Sequence, residues 1–176
     1  RQFLAEAMII SLGGGAIGFA CALVARHFGA QDLGVGETNG LRLRTLRETG
    51  GFSAYAPGTP DEPAENSVDL VIDAVGAAAT RAAASRLVRP GGVIVHLGLL
   101  PGLDGLDVRK VTLQEVTFLG SYCYTARDFG EVVQALAARQ LGSLAWFAQR
   151  DLADGARAFH DIDANQIAAA KVVLRT

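Results

Sequence analysis

The chain has 176 residues, half of them apolar, and a formal net charge of −2. That length builds one domain with a sizeable core, or one domain with an appendage, and the apolar content excludes a disordered chain. With no block of like charge nothing points to nucleic acid, and the apolar runs are too short to span a bilayer.

No signal-peptide pattern opens the sequence. Two cysteines, Cys21 and Cys123, make neither a disulfide framework nor a metal-binding spacing. Both stand among apolar residues and are read as small buried side chains, with a cytoplasmic location by default. The chain begins at Arg1 rather than Met, shortly before the first predicted strand, which implies residues upstream.

The first element carries the principal motif. Ala7 to Gly18 reads AMIISLGGGAIG, an apolar run ending in glycines that open onto helix-forming residues. That is strand, tight turn, helix. Gly13, Gly15 and Gly18 have the spacing G-x-G-x-x-G, and each has a task in a dinucleotide site. Gly13 turns the chain off the strand, Gly15 leaves the backbone bare for a pyrophosphate, and Gly18 brings the helix close to the strand. The free N–H groups of the helix start, at the positive end of its dipole, face the phosphates.

The helix is expected over Ala16–Phe28, with Gly29 as its stop and His27 in the last turn suiting the dipole. Asp32–Gly36 reads as a second strand, with Glu37 at its end, 19 residues after Gly18. A carboxylate near that spacing is the expected partner of the adenosine ribose hydroxyls. Its charge repels a 2′-phosphate, favouring NAD over NADP, although Thr38 and Asn39 suit either.

Leu41–Glu48 is a charged amphipathic helix, and Phe52–Ala56 a weak third strand. Prolines break the stretch from Pro57 to Pro63. Val68–Val75 is a nearly continuous apolar run, as in a strand buried on both faces of a parallel sheet, interrupted by Asp73 near its carboxyl end. Ala77–Val88 is an alanine-rich helix ended by Pro90-Gly91-Gly92. Val93–Leu97 is a further strand with His96 as a satisfied core histidine, followed by a Gly- and Pro-rich turn over Gly98–Gly105.

Leu106–Gln114 is ambiguous. Val116–Tyr122 reads as a strand and Arg127–Arg139 as an amphipathic helix. Trp146–Arg150 is a candidate strand and Ala153–Ile162 a helix, with Asp151 as its N-cap and His160 on its surface. Lys171–Leu174 is the final strand. Alternating strands and helices predict an α/β fold, a doubly wound parallel sheet with right-handed crossovers. The domain boundary falls at 1–141, with 142–176 as a C-terminal segment.

Gly13–Gly18, Glu37, VDLVIDAVG (Val68–Gly76), LVRPGGVIVHLG (Leu87–Gly98), TFLGSYCY (Thr117–Tyr124) and KVVL (Lys171–Leu174) occur in the order of a known family. Over nearly its whole length the chain resembles the cofactor half of a medium-chain alcohol dehydrogenase, and its GSYCYT…DF stretch is similar to the zinc-dependent polyol and secondary-alcohol branch. The resemblance implies a Rossmann fold. Gly13, Gly15, Ala16, Ile17 and Gly18 would cradle the pyrophosphate of NAD, and Glu37, followed by Thr38, would hold the ribose. Ala74, Val75 and Gly76 would line the nucleotide. Leu97, Gly98 and Leu99 would border the nicotinamide, with Ser121, Tyr122 and Cys123 on its other side.

It also implies two departures. The family carries a helix between the third and fourth strands, where Gly58–Asn66 here is short and proline-broken; an extended loop spans such a gap at ~3.3 Å per residue. The family's catalytic domain, which holds the zinc ligands, lies mostly N-terminal to this region. His27, His96 and His160 are scattered and make no three-ligand set, so zinc is expected only in that other domain.

The resemblance implies a parent reaction of hydride transfer between an alcohol or ketone and NAD; this chain is expected to bind NAD(H) without turning over alcohols. Residues from Gly142 onward would return to the catalytic domain and leave apolar Trp146, Phe147 and Phe159 uncovered. A homodimer through the edge strand Val116–Ser121 is expected. Three other readings compete: an S-adenosylmethionine-dependent methyltransferase, a zinc-free quinone-reductase-type enzyme and a stand-alone nucleotide-binding module.

Overall fold

In the computed structural model, residues 6–49 and 51–176 are described. Five parallel crossovers build one sheet from β1 (Met8–Leu12), β2 (Asp32–Gly36), β3 (Ser53–Tyr55), β4 (Val68–Asp73), β5 (Val88–His96) and β6 (Thr117–Gly120), in the spatial order β3-β2-β1-β4-β5-β6. That order reverses between β1 and β4. The strand ends on either side of the reversal open a crevice at the carboxyl edge of the sheet, where ligands of this fold bind.

Successive side chains of a strand face opposite sides of the sheet, and β1 shows what this does. Ile10 and Leu12 join Val71, Ile94 and Leu87 in a core under helix α3 (Ala78–Leu87). Ile9 faces the other way, with Ala30 and Leu33. On that second side α1 (Ala16–His27) and α2 (Gly40–Thr49) bury Phe19, Leu23 and Leu46 against Val35. Two-sided burial is why these strands read as continuous apolar runs.

Helix α1 ends at a glycine, Gly29, with a positive φ of 102°, whose N–H donates to Arg26 O while Ala30 N–H reaches back to Ala25 O. Between β4 and β6 the region that was ambiguous in the sequence forms a short helix, α4 (Val108–Leu113). It is capped by Asp107, whose side chain accepts from the Lys110 N–H at 2.9 Å. Helix α5 (Ala126–Ala137) starts with a reciprocal capping box between Thr125 and Asp128.

Several boundaries differ from the expectation. The VRPGG segment does not stand outside a strand: β5 begins at Val88, pairs with Val68, then loses register before Leu70 pairs with Val93. Pro90 has no N–H for a ladder and Gly91 has a φ of 68°, so the extra residues loop out, with the Gly91 N–H donating to Gln114 O. β4 stops at Asp73 rather than Val75, because the Asp73 side chain turns the backbone that follows. β6 is four residues long, shorter than Val116–Tyr122, and lies at the sheet edge with all four exposed.

Residues 56–67 carry turns and no helix. The loop is tied down through Glu62, which accepts the Gly58 N–H at 3.0 Å and the Arg86 guanidinium at 2.7 Å. The chain after Gly142 forms a separate two-stranded parallel sheet of β7 (Phe147–Asp151) and β8 (Lys171–Arg175), joined by a 3-10 turn (Leu152–Asp154) and α6 (Gly155–Asp163). Asp151 does not cap that helix with its side chain. Trp146 is not left uncovered: its ring lies 5.3 Å from that of Phe19, fastening this segment to α1, while Phe159 is exposed. Cys123 is exposed with a φ of 60°, against the expectation of a buried side chain; among the described residues no helix is long and apolar enough to cross a membrane.

Candidate functional site

The crevice at the reversal is a cavity of about 720 Å3. Of the residues singled out in the sequence, Gly13, Gly15, Ala16, Ile17, Gly18, Glu37, Thr38, Ala74 and Val75 line it. Gly76, Leu97, Gly98, Leu99, Ser121 and Cys123 do not. They follow the carboxyl ends of β4, β5 and β6, with Leu99 and Tyr122 largely exposed.

The three motif glycines have different surroundings. Gly13 has a φ of 97°, and its N–H donates to Gly36 O at 2.9 Å, tying the turn to the end of β2. A Cβ on Gly18 would overlap the Gly13 carbonyl, so the helix sits as close to the turn as a bare backbone permits. A Cβ on Gly15 would meet nothing within 4 Å. Open space above Gly15, which is the N-cap of α1, is the cradle that a diphosphate requires.

Glu37 is buried at the end of β2, and its carboxylate is densely partnered. Oε2 accepts the Gly14 N–H at 3.0 Å, and Oε1 accepts the Asn39 N–H at 2.7 Å. The Arg42 guanidinium adds two donors, Nε to Oε2 at 2.9 Å and Nη2 to Oε1 at 3.1 Å. Burial pushes the carboxyl up, but the hydrogen bonds and charge of Arg42, with the two backbone donors, outweigh it and hold the group below its ordinary range. The acid thus ties the glycine turn to α2 while lining the crevice.

Sequence reasoning missed Arg42, which stands five residues after Glu37 and shares no strand or helix face with it. It also missed Arg81. This buried side chain of α3 donates from Nη1 to Gly76 O at 2.5 Å, from Nε to Asp104 O at 2.6 Å and from Nη2 to Gly102 O at 3.0 Å. No local pattern reports that a helix arginine will serve three carbonyls of two loops. The C-terminal segment was missed as well: Ile162, Ile167 and Ala169 to Val172, with Lys171 among them, line the same crevice. Pro57 and Glu62, from the loop that stands in place of a helix, line it as well.

Asp73 is fully buried and lies opposite His96 in register. Its Oδ2 is 3.1 Å from Nδ1 of His96, so the histidine is partnered as expected. Among the described residues, no three His, Cys, Asp or Glu side chains gather as a metal cluster. His160 lies exposed on α6.

The comparisons agree with this geometry. A family model described as zinc-binding dehydrogenase matches residues 16–138, well over half of the chain. Probable D-xylulose reductase A of Neosartorya fischeri is 26% identical over 166 residues, which are 88% of this chain and 45% of that protein. Acetophenone reductase from Geotrichum candidum, solved with NAD, superposes with a TM-score of 0.84 at 21% identity, covering 98% of this chain and 49% of its own. A Sinorhizobium meliloti 1021 protein solved with NADP gives 0.76 at 23% identity, covering 97% and 52%. The chain spans about half the length of the curated relatives it matches. With the glycine turn, the reversed sheet order and the family match in agreement, this chain belongs to the zinc-binding dehydrogenase family.

Proposed function

We propose that this chain is the nucleotide-binding half of a polyol or secondary-alcohol dehydrogenase that uses NAD in preference to NADP. The observation that carries the reading is the empty approach to Gly15 at the start of α1, with Glu37 one strand away in the same crevice. The nicotinamide cofactor supplies the hydride chemistry, and the chain supplies position and electrostatics. N–H groups at the start of α1 receive the diphosphate, in a crevice that Lys171 also lines. Glu37 lines the crevice beside the adenosine ribose, where a ribose hydroxyl would take the place of one of the donors now on its carboxylate, and its charge opposes a further phosphate there. Backbone at Leu97–Leu99 and Ser121–Cys123 borders the nicotinamide.

In this reading the zinc ligands, and most of the substrate pocket, come from outside these 176 residues, so the chain by itself binds cofactor without oxidising alcohols. Two free thiols, Cys21 and Cys123, suit a reducing compartment, and we take the cytoplasm as its location. The exposed edge strand β6 supports pairing with a second copy across a two-fold axis.

Parallel titrations of the chain with NADH, NADPH and S-adenosylmethionine, followed by calorimetry, test the assignment. Binding of NADH ahead of NADPH, with none of S-adenosylmethionine, is the expected result. Saturable binding of S-adenosylmethionine alone would overturn it in favour of a methyltransferase.

A further inference from the structure

Asp73 holds two loops at once. Its Oδ1 accepts the N–H groups of Val75 at 3.1 Å and Gly76 at 2.8 Å, in the turn after β4. Its main-chain oxygen accepts those of Leu97 at 2.9 Å and Gly98 at 3.1 Å, at the exit from β5. The two stretches are in contact: a Cβ on Gly76 would overlap the Gly98 backbone, and one on Gly98 would overlap Val75 and Gly76. Neither loop can shift without the other.

The remaining oxygen, Oδ2, is met by Nδ1 of His96. A fully buried carboxylate is costly unless its oxygens are supplied with donors, and here the histidine supplies the last of them. The imidazole is itself partly buried, with its ring 5.6 Å from that of Phe118 on β6. The tautomer protonated at Nδ1 donates to the carboxylate. Arg81 grips the Gly76 carbonyl and the loop at Gly102 and Asp104, but makes no hydrogen bond to the β5 exit.

We propose that His96 is a positioning residue: by donating to Asp73 Oδ2 it fixes the carboxylate that locks Val75–Gly76 against Leu97–Gly98, and so presets the backbone that receives the nicotinamide end of the dinucleotide. The inference rests on the cofactor reading above. It assigns His96 a role at one end of the ligand only, since the diphosphate and ribose are held by the glycine turn and Glu37.

The test compares the full chain with His96→Leu and His96→Asn, titrated with NADH and with ADP-ribose, which lacks the nicotinamide. Backbone hydrogen exchange at Val75, Gly76, Leu97 and Gly98 is followed without ligand. Loss of a hydrogen bond to a charged group predicts that His96→Leu weakens NADH about tenfold, leaves ADP-ribose within about twofold and speeds exchange at all four amides. His96→Asn, which keeps a donor near the Nδ1 position, restores most of both. Equal weakening of the two ligands, no weakening of either, or exchange at the native rate in His96→Leu overturns the proposal. If the unmodified chain binds neither ligand, the cofactor reading fails, and the exchange measurement still decides whether His96 holds the lock.

Discussion

The Arg42 guanidinium holds the Glu37 carboxylate through two donors, at 2.9 and 3.1 Å, in a crevice wall where the acid is 4% exposed. The pair joins the end of β2 to the start of α2, and the Gly14 N–H joins both to the glycine turn. Its acidity is therefore coupled to stability. A carboxyl whose folded pKa lies below its unfolded value, about 4.3 for glutamate, stabilises the fold above that pH and loses the contribution as pH falls through the folded value. Urea midpoints measured from pH 6 down to pH 3 should fall for the native chain, with a shallower dependence in Glu37→Gln.

Gly15 and Gly18 should separate binding from folding. Space is open at Gly15, so Gly15→Val is expected to fold with a near-native melting temperature yet lose nucleotide affinity by about a hundredfold or more, because the side chain fills the diphosphate approach. Gly18→Val forces a side chain into the Gly13 carbonyl and should lower the melting temperature sharply. Thermal denaturation and NADH titration of both variants check the contrast.

Arg81 serves three carbonyls of two loops from a buried position, with no carboxylate among those partners. Arg81→Met retains much of the length and apolar stem but none of the donors. Leaving a buried carbonyl unpaired costs about 1–3 kcal/mol, and the partly exposed carbonyls of Gly102 and Asp104 add less because water can replace the donor, so a loss of about 2–4 kcal/mol is expected in chemical denaturation.

Edge pairing through β6 predicts a mass of two chains in light scattering. Phe118 and Leu119 are exposed on a strand whose outer ladder is unpaired within the sheet. A proline at Leu119 introduces a residue that strand pairing tolerates poorly, and Leu119→Pro should yield monomer. A native chain that sedimented as monomer at all concentrations would remove the proposal.

Most of the order of strands and helices, and the chemistry of the first turn, were legible along the chain because they rest on local rules; the short helix α4 was not. Apolar runs such as VDLVIDAV report burial on both faces, and the positions of Gly13, Gly15 and Gly18 report a backbone kept bare, for a sharp turn, for a ligand's approach and for close packing. The sequence also marked Glu37 as an acid at a strand end. What it left open depends on how the elements pack, whether the partners stand five residues apart or far along the chain. Arg42 meets Glu37 only because α2 folds back over β2. Arg81 finds two of its three carbonyls 21 and 23 residues away. Lys171 reaches the crevice because Trp146 packs on Phe19 and carries β8 with it. Asp73 and His96 became partners through the register of β4 and β5, which no single strand encodes. Local propensity is written residue by residue, whereas a long-range contact depends on how whole elements pack, so which polar groups meet is settled in the folded chain.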